Sequence, residues 1–112
     1  MKEDIFIFRN NEYIIFIGTN KHENFQLIDE SVDTDVWFHV ENEPSCHVIL
    51  KNEGQIRDIP KQVIKHGAYL CKINSKAKTQ KECSIMYTQL KNFSKTKVIG
   101  QVNVTHYKVV SC

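Results

Sequence analysis

The run D-V-W-F-H-V-E-N-E-P-S-C-H-V-I-L, Asp35 to Leu50, decides the fold. Both ends are dense in β-branched and aromatic residues, which suit a pleated, half-buried surface. Strands are predicted at Val36–Val40 and Cys46–Leu50. Five residues join them, Glu41 to Ser45, and Pro44 has no N–H to give a ladder. So short a connection joins antiparallel neighbours. With the turn centred on Glu43, His39 falls opposite His47 and Trp37 opposite Ile49. Alternation then puts Trp37, His39, His47 and Ile49 on one face, and Phe38, Val40, Cys46 and Val48 on the other.

Upstream, Ile5–Phe8 and Tyr13–Ile17 flank the polar cluster Arg9-Asn10-Asn11-Glu12 and read as a β-hairpin. Gly18-Thr19-Asn20 ends the second strand. His22–Asp29 contains Phe25, Leu27 and Ile28, spaced for a short helix capped near Asn20. Asp29–Asp35 reads as an exposed loop. Downstream, Pro60–Asn74 is the strongest helix, with Pro60 in its first turn and Asp58 at its positive dipole end. Val63, Gly67, Leu70, Cys71 and Asn74 share about a 100° arc. Gly67 in mid-helix costs about 1 kcal/mol relative to alanine, which a close approach to the sheet explains. Lys61, Lys65, Lys72 and Lys76 form one stripe on the opposite side. Cys83–Thr88 is a further strand, Lys91–Ile99 a basic loop, and Gln101–Thr105 with Tyr107–Ser111 a closing pair. The fold class that follows is α+β: a single domain over residues 1–112, with a mixed, mainly antiparallel sheet and two helices.

The 112 residues are 41% hydrophobic and 25% charged, values that exclude a disordered chain. No run approaches the ~20 apolar residues of a membrane-spanning helix, and the short apolar run Ile5–Phe8, closed by Arg9, does not read as a signal h-region. A soluble, cytoplasmic protein without membrane insertion is expected. The four cysteines, at 46, 71, 83 and 112, form no C-x-x-C pair. Cys46, Cys71 and Cys83 read as core fillers and Cys112 as exposed and incidental. The formal net charge of +2 conceals an asymmetry: residues 1–55 carry four basic and eleven acidic residues, and residues 56–112 carry eleven basic and two acidic. Such polarity points to nucleic-acid or membrane-surface partners.

No phosphate loop, H-E-x-x-H or G-x-S-x-G element is present, so no catalytic residue is expected. Asp33, Asp35, Glu41 and Glu43 read as a solvated acidic rim. Opposed His39 and His47 are able to ligate zinc, but no third ligand is evident and Cys46 faces away, so neither a metal nor a cofactor is expected. Two readings of the histidines stay open: half-buried groups bonded to backbone, or a polar strand face beside Trp37 that binds phosphate or stacks a base. Lys72, Lys76, Lys78, Lys81, Lys91, Lys95 and Lys97, interleaved with Tyr87 and Phe93, form a nearly acid-free segment of the kind that binds nucleic acid.

D-V-W-F-H-V and P-S-C-H-V-I-L, in order and at this spacing, resemble the signature of the NFACT-R domain. Gly18, Asn20, Asn24 and Leu27 are similar to its G-[RK]-N-x-x-x-N-x-x-L motif, and Ile59-Pro60 leads through a helix into Ser75-Lys76-Ala77. The resemblance covers roughly residues 13–108. It departs at Thr19, where the family has a basic residue, at Ser45-Cys46 in place of G-S, and in a basic loop reduced to Lys95, Lys97 and Gly100. It implies a non-catalytic RNA-binding module of the stand-alone kind, related to ribosome-quality-control factors and to coiled-coil-domain-containing proteins. Expected partners are tRNA or ribosomal RNA and the ribosomal subunit; DNA binding and a protein-interaction adaptor are the alternatives. The expected contact residues are Asn20, Asn24, Trp37, His39, His47, Lys65, Lys72, Ser75, Lys76 and Lys78.

Overall fold

A computed structural model describes residues 1–95 and 102–112. Its elements are β1 (Lys2–Phe8), β2 (Asn11–Gly18), α1 (Lys21–Glu30), β3 (Val36–Val40), β4 (His47–Leu50), α2 (Lys61–Ile73), β5 (Ser84–Gln89), β6 (Phe93–Lys95), β7 (Val102–Val104) and β8 (Lys108–Ser111). Six strands form one sheet in the order β1-β2-β4-β3-β5-β8, and β6 and β7 form a separate ribbon. Every described strand pair is antiparallel. The α+β expectation holds.

The first hairpin is tighter than its sequence suggests. Its strands run to Phe8 and from Asn11, leaving a two-residue turn in which Arg9 and Asn10 take positive φ, 50° and 67°. Such turns match the natural twist of the strands they join. The central hairpin has the expected register, with Trp37 opposite Ile49 and Phe38 opposite Val48. At its turn end the Ser45 hydroxyl accepts from Val40 N at 3.0 Å, where a ladder bond would otherwise lie.

The two faces of the sheet are covered separately. Phe38, Val40, Cys46 and Val48 pack under α2 with Val63, Ala68 and Cys71. Trp37 and Ile49 pack under α1 with Leu27 and Ile28. A Cβ on Gly67 would lie 2.6 Å from Phe38 Cζ, so glycine is what lets α2 settle onto the sheet. Cys46, Cys71 and Cys83 are buried free thiols, as expected of core fillers.

Four expectations need correction. The two closing segments do not pair with each other. β7 pairs with β6, and β8 pairs with β5 at the sheet edge, where Val110 reaches the α2-side core. Asn92 explains the split: its carbonyl accepts from Thr105 N and Oγ1, and its amide donates to Thr88 Oγ1, which turns the chain back before Lys108. Phe93–Lys95, expected within a loop, is therefore a strand, while Lys97 and the rest of residues 96–101 lie outside the described residues. Cys112 is not incidental, since it exchanges two backbone hydrogen bonds with Cys83, at 2.9 and 2.8 Å. Asp35 is not part of a solvated rim. It is 1% exposed and accepts from Val32 N, Asn52 N and Lys51 Nζ, which gathers the loops on either side of the central hairpin.

Candidate nucleic-acid interface

Asn20 caps α1, its Oδ1 accepting from Glu23 N at 2.9 Å. The Glu23 carboxylate in turn accepts from Thr19 N and Oγ1 and from the N-terminal ammonium. These bonds, the Thr19 backbone N–H first, pull its pKa down to about 2. One turn on, Asn24 Oδ1 accepts from His47 N at 3.1 Å. Gly18 pairs with His47 across the ladder, and a Cβ on it would lie 2.4 Å from that same oxygen. Gly18 and Asn24 are thus one device that fixes the start of β4 and His47 with it.

At the far end of α2 the chain enters a 3-10 turn, Lys76–Thr79. Ser75 Oγ accepts from Ala77 N and donates to Lys72 O, closing the joint. Ala77 is buried in the core while its neighbours are exposed, so this one anchor throws Lys76 and Lys78 outward.

Between the start of α1 and this turn lies an open groove of roughly 840 Å³. Among the described residues its cations are Lys21, Lys76 and Lys78, and no carboxylate lines it. His39 and His47 form the floor. Trp37, His39 and His47 make one ring cluster: Trp37 stacks on His39 at 5.4 Å between centroids, and His47 stands edge-on to His39 at 5.1 Å. His39 Nδ1 lies 2.6 Å from the Val40 carbonyl, so the proton sits on Nδ1, and Nε2 of the neutral ring is an acceptor. Burial lowers the His39 pKa below the usual imidazole value. Burial, then repulsion from His39, takes His47 down to about 3. Both rings are neutral at physiological pH, and the lysines carry the positive charge of the groove. Among the described residues no group of three His, Cys, Asp or Glu side chains is placed to hold a metal ion.

The structure brings together seven of the ten expected contact residues: Asn20, Asn24, His39, His47, Ser75, Lys76 and Lys78. Trp37 lies beneath the floor, 2% exposed. The lysine stripe is divided, because α2 ends at Ile73 and Lys76 belongs to the turn beyond it. Lys72 donates to the backbone oxygens of Cys112, at 3.0 Å, and Lys81. Lys65, with Lys61, Arg57 and Lys108, lines a separate cleft beside Tyr87. Lys21, missed in the sequence, supplies the cation that Thr19 lacks. Its signal was its place as the first helical residue after the Asn20 cap.

The sequence matches the family described as NFACT protein RNA binding domain over residues 4–105. It is 36% identical over 106 residues to coiled-coil domain-containing protein 25 of Bos taurus, covering 90% of this chain and 51% of that protein. It is 35% identical over 106 residues to protein JLP2 of Saccharomyces cerevisiae, covering 89% and 51%. The chain spans about half the length of these curated relatives. Among solved structures, the C-terminal part of the fibronectin/fibrinogen-binding protein from Streptococcus suis has the same fold. Its TM-score is 0.83 at 22% identity, over 99% of this chain and 45% of that one.

Proposed function

Because the chain belongs to the NFACT protein RNA binding domain family, we propose that the groove between α1 and the Lys76–Thr79 turn is its RNA-binding surface. The family supports a nucleic-acid-binding role; the partner is tRNA or ribosomal RNA, engaged without catalysis on ribosomes in the cytoplasm, in the setting of ribosome quality control. One observation carries the reading. A chain whose first half is strongly acidic surrounds two aromatic-backed histidines with Lys21, Lys76 and Lys78 and, among the described residues, no carboxylate. Lysines of this kind neutralise backbone phosphates and release counterions, whereas a half-buried ring such as His39 offers a flat and polar surface to a base.

Neutralising about three phosphates of a single strand gives log K a slope near −2 against log salt. Lys76→Ala with Lys78→Ala should weaken binding to tRNA and bring the slope to about −0.7. Fluorescence anisotropy across a salt series measures both. Unchanged affinity and slope in the double variant would dismiss the groove as the RNA surface.

A further inference from the structure

The groove sorts its polar groups by depth. Lys21, Lys76 and Lys78 are exposed at its rim, while His39 is half-buried and His47 is 3% exposed at its floor. Rim cations meet the phosphates of any nucleic acid, paired or not. The floor is selective. With its Nδ1 proton given to Val40 O, His39 turns a lone pair on Nε2 toward a donor, and a phosphate oxygen is not a donor. His47 Nδ1, beside it, is buried without a hydrogen-bond partner among the described residues. An uncharged acceptor below a cationic rim suits the N–H edge of a base better than another phosphate.

Resting on the RNA-binding reading, we infer that the groove takes one unpaired nucleotide, its phosphate at Lys76 and Lys78 and its base on the His39–His47 floor. A base still paired in an A-form helix cannot reach that floor. Its major-groove edge is too deep and narrow for side chains, its Watson–Crick edge is occupied, and its minor-groove edge lies flat in a shallow surface and does not project into a recess. An unstacked base presents both its face and its free edge, the form in which sequence and single-strandedness are recognised in RNA. Duplex RNA therefore meets the rim alone.

The test compares a mixed-sequence single-stranded RNA with the same strand annealed to its complement, by fluorescence anisotropy on the full chain. Single-stranded RNA should bind at least about 10-fold tighter. His39→Ala should cost the single strand about 5- to 100-fold, the range for losing one base contact, and leave the duplex unchanged. The salt slope should not move, since no phosphate contact is lost. His39→Phe, which keeps a ring to cover Trp37, guards against a folding artefact and should recover only part of the loss. A circularised strand that binds as well as the linear one assigns an internal nucleotide, and one that binds worse assigns a strand end; either keeps the proposal. Equal affinity for both forms, or an equal loss on both in His39→Ala, overturns the proposal and leaves the RNA-binding reading standing. No binding of either form overturns both.

Discussion

Replacing His47 with leucine should keep the protein at least as stable at pH 7.5, flatten its response to acid and weaken its hold on single-stranded RNA. His47 is 3% exposed, and its Nδ1 has no hydrogen-bond partner. A buried polar atom left unsatisfied costs roughly 1–3 kcal/mol, which an apolar side chain of similar volume avoids. Burial, with His39 adding to it, takes the pKa from 6.5 to about 3. Only the unfolded chain accepts the proton between those values. The stability that neutral His47 contributes is therefore present above pH 6.5 and is lost as pH falls toward the folded value. From pH 7.5 to pH 5 the loss is about 2 kcal/mol. His39 is shifted in the same direction by its own burial and steepens the slope of both proteins. Glu23, depressed to about 2, titrates below this window. Trp37 is the single tryptophan and is buried, so its fluorescence reports urea unfolding directly. The wild type should lose about 2 kcal/mol more than His47→Leu between pH 7.5 and pH 5. A wild-type midpoint that does not move, or a variant that keeps the full acid slope, would refute the neutral, buried state assigned to His47.

Three further substitutions probe the frame around the groove. Gly67→Ala gains about 1 kcal/mol of helix propensity but drives a methyl against the fully buried Phe38, at a cost of about 1–3 kcal/mol. Net destabilisation is expected in urea, and a more stable variant would contradict the tight approach. Asp35→Ala leaves Val32 N, Asn52 N and Lys51 Nζ without their acceptor and should cost about 3 kcal/mol or more, measured the same way; a loss under about 1 kcal/mol would show the loop is held by other means. Lys72→Ala frees the backbone oxygen of Cys112 and should lower stability by about 1 kcal/mol. RNA affinity, read by anisotropy, should stay within about 2-fold, and a larger loss would return Lys72 to the binding surface.

The central hairpin was legible because its β-branched residues, its proline and its five-residue connection all point to one register. That register put His39 beside His47, and the ring contact at 5.1 Å agrees. The α2 face was legible too, since Gly67 among apolar helical neighbours announces a close approach, and Phe38 is what it approaches. The partners of the C-terminal strands were not. Val102–Val104 and Lys108–Ser111 are short and similar, and their separation depends on the Asn92 clamp, a contact between residues 13 apart in the chain. Asp35 looked like one more acid in an acidic loop, because burial depends on which loops converge. The lysine stripe failed at a helix end. A wheel continued past Ile73 keeps Lys76 in line with Lys65, whereas the Ser75-capped turn redirects it to the histidines. Asn20 and Asn24 were placed correctly, yet their side-chain oxygens serve the α1 cap and the backbone of His47.

Two basic surfaces compete as the RNA contact, and charge reversal separates them. The measurement is the affinity for tRNA, at fixed salt, of Lys76→Glu with Lys78→Glu against Lys61→Glu with Lys65→Glu, each pair confirmed folded by Trp37 fluorescence. Both pairs change the net charge equally, so non-specific attraction falls by the same amount in each. The groove reversal should weaken binding by more than about 30-fold, and the reversal in the cleft beside Tyr87 by no more than about 3-fold. Equal losses, or a larger loss from Lys61 and Lys65, would contradict the assignment of RNA to the histidine groove.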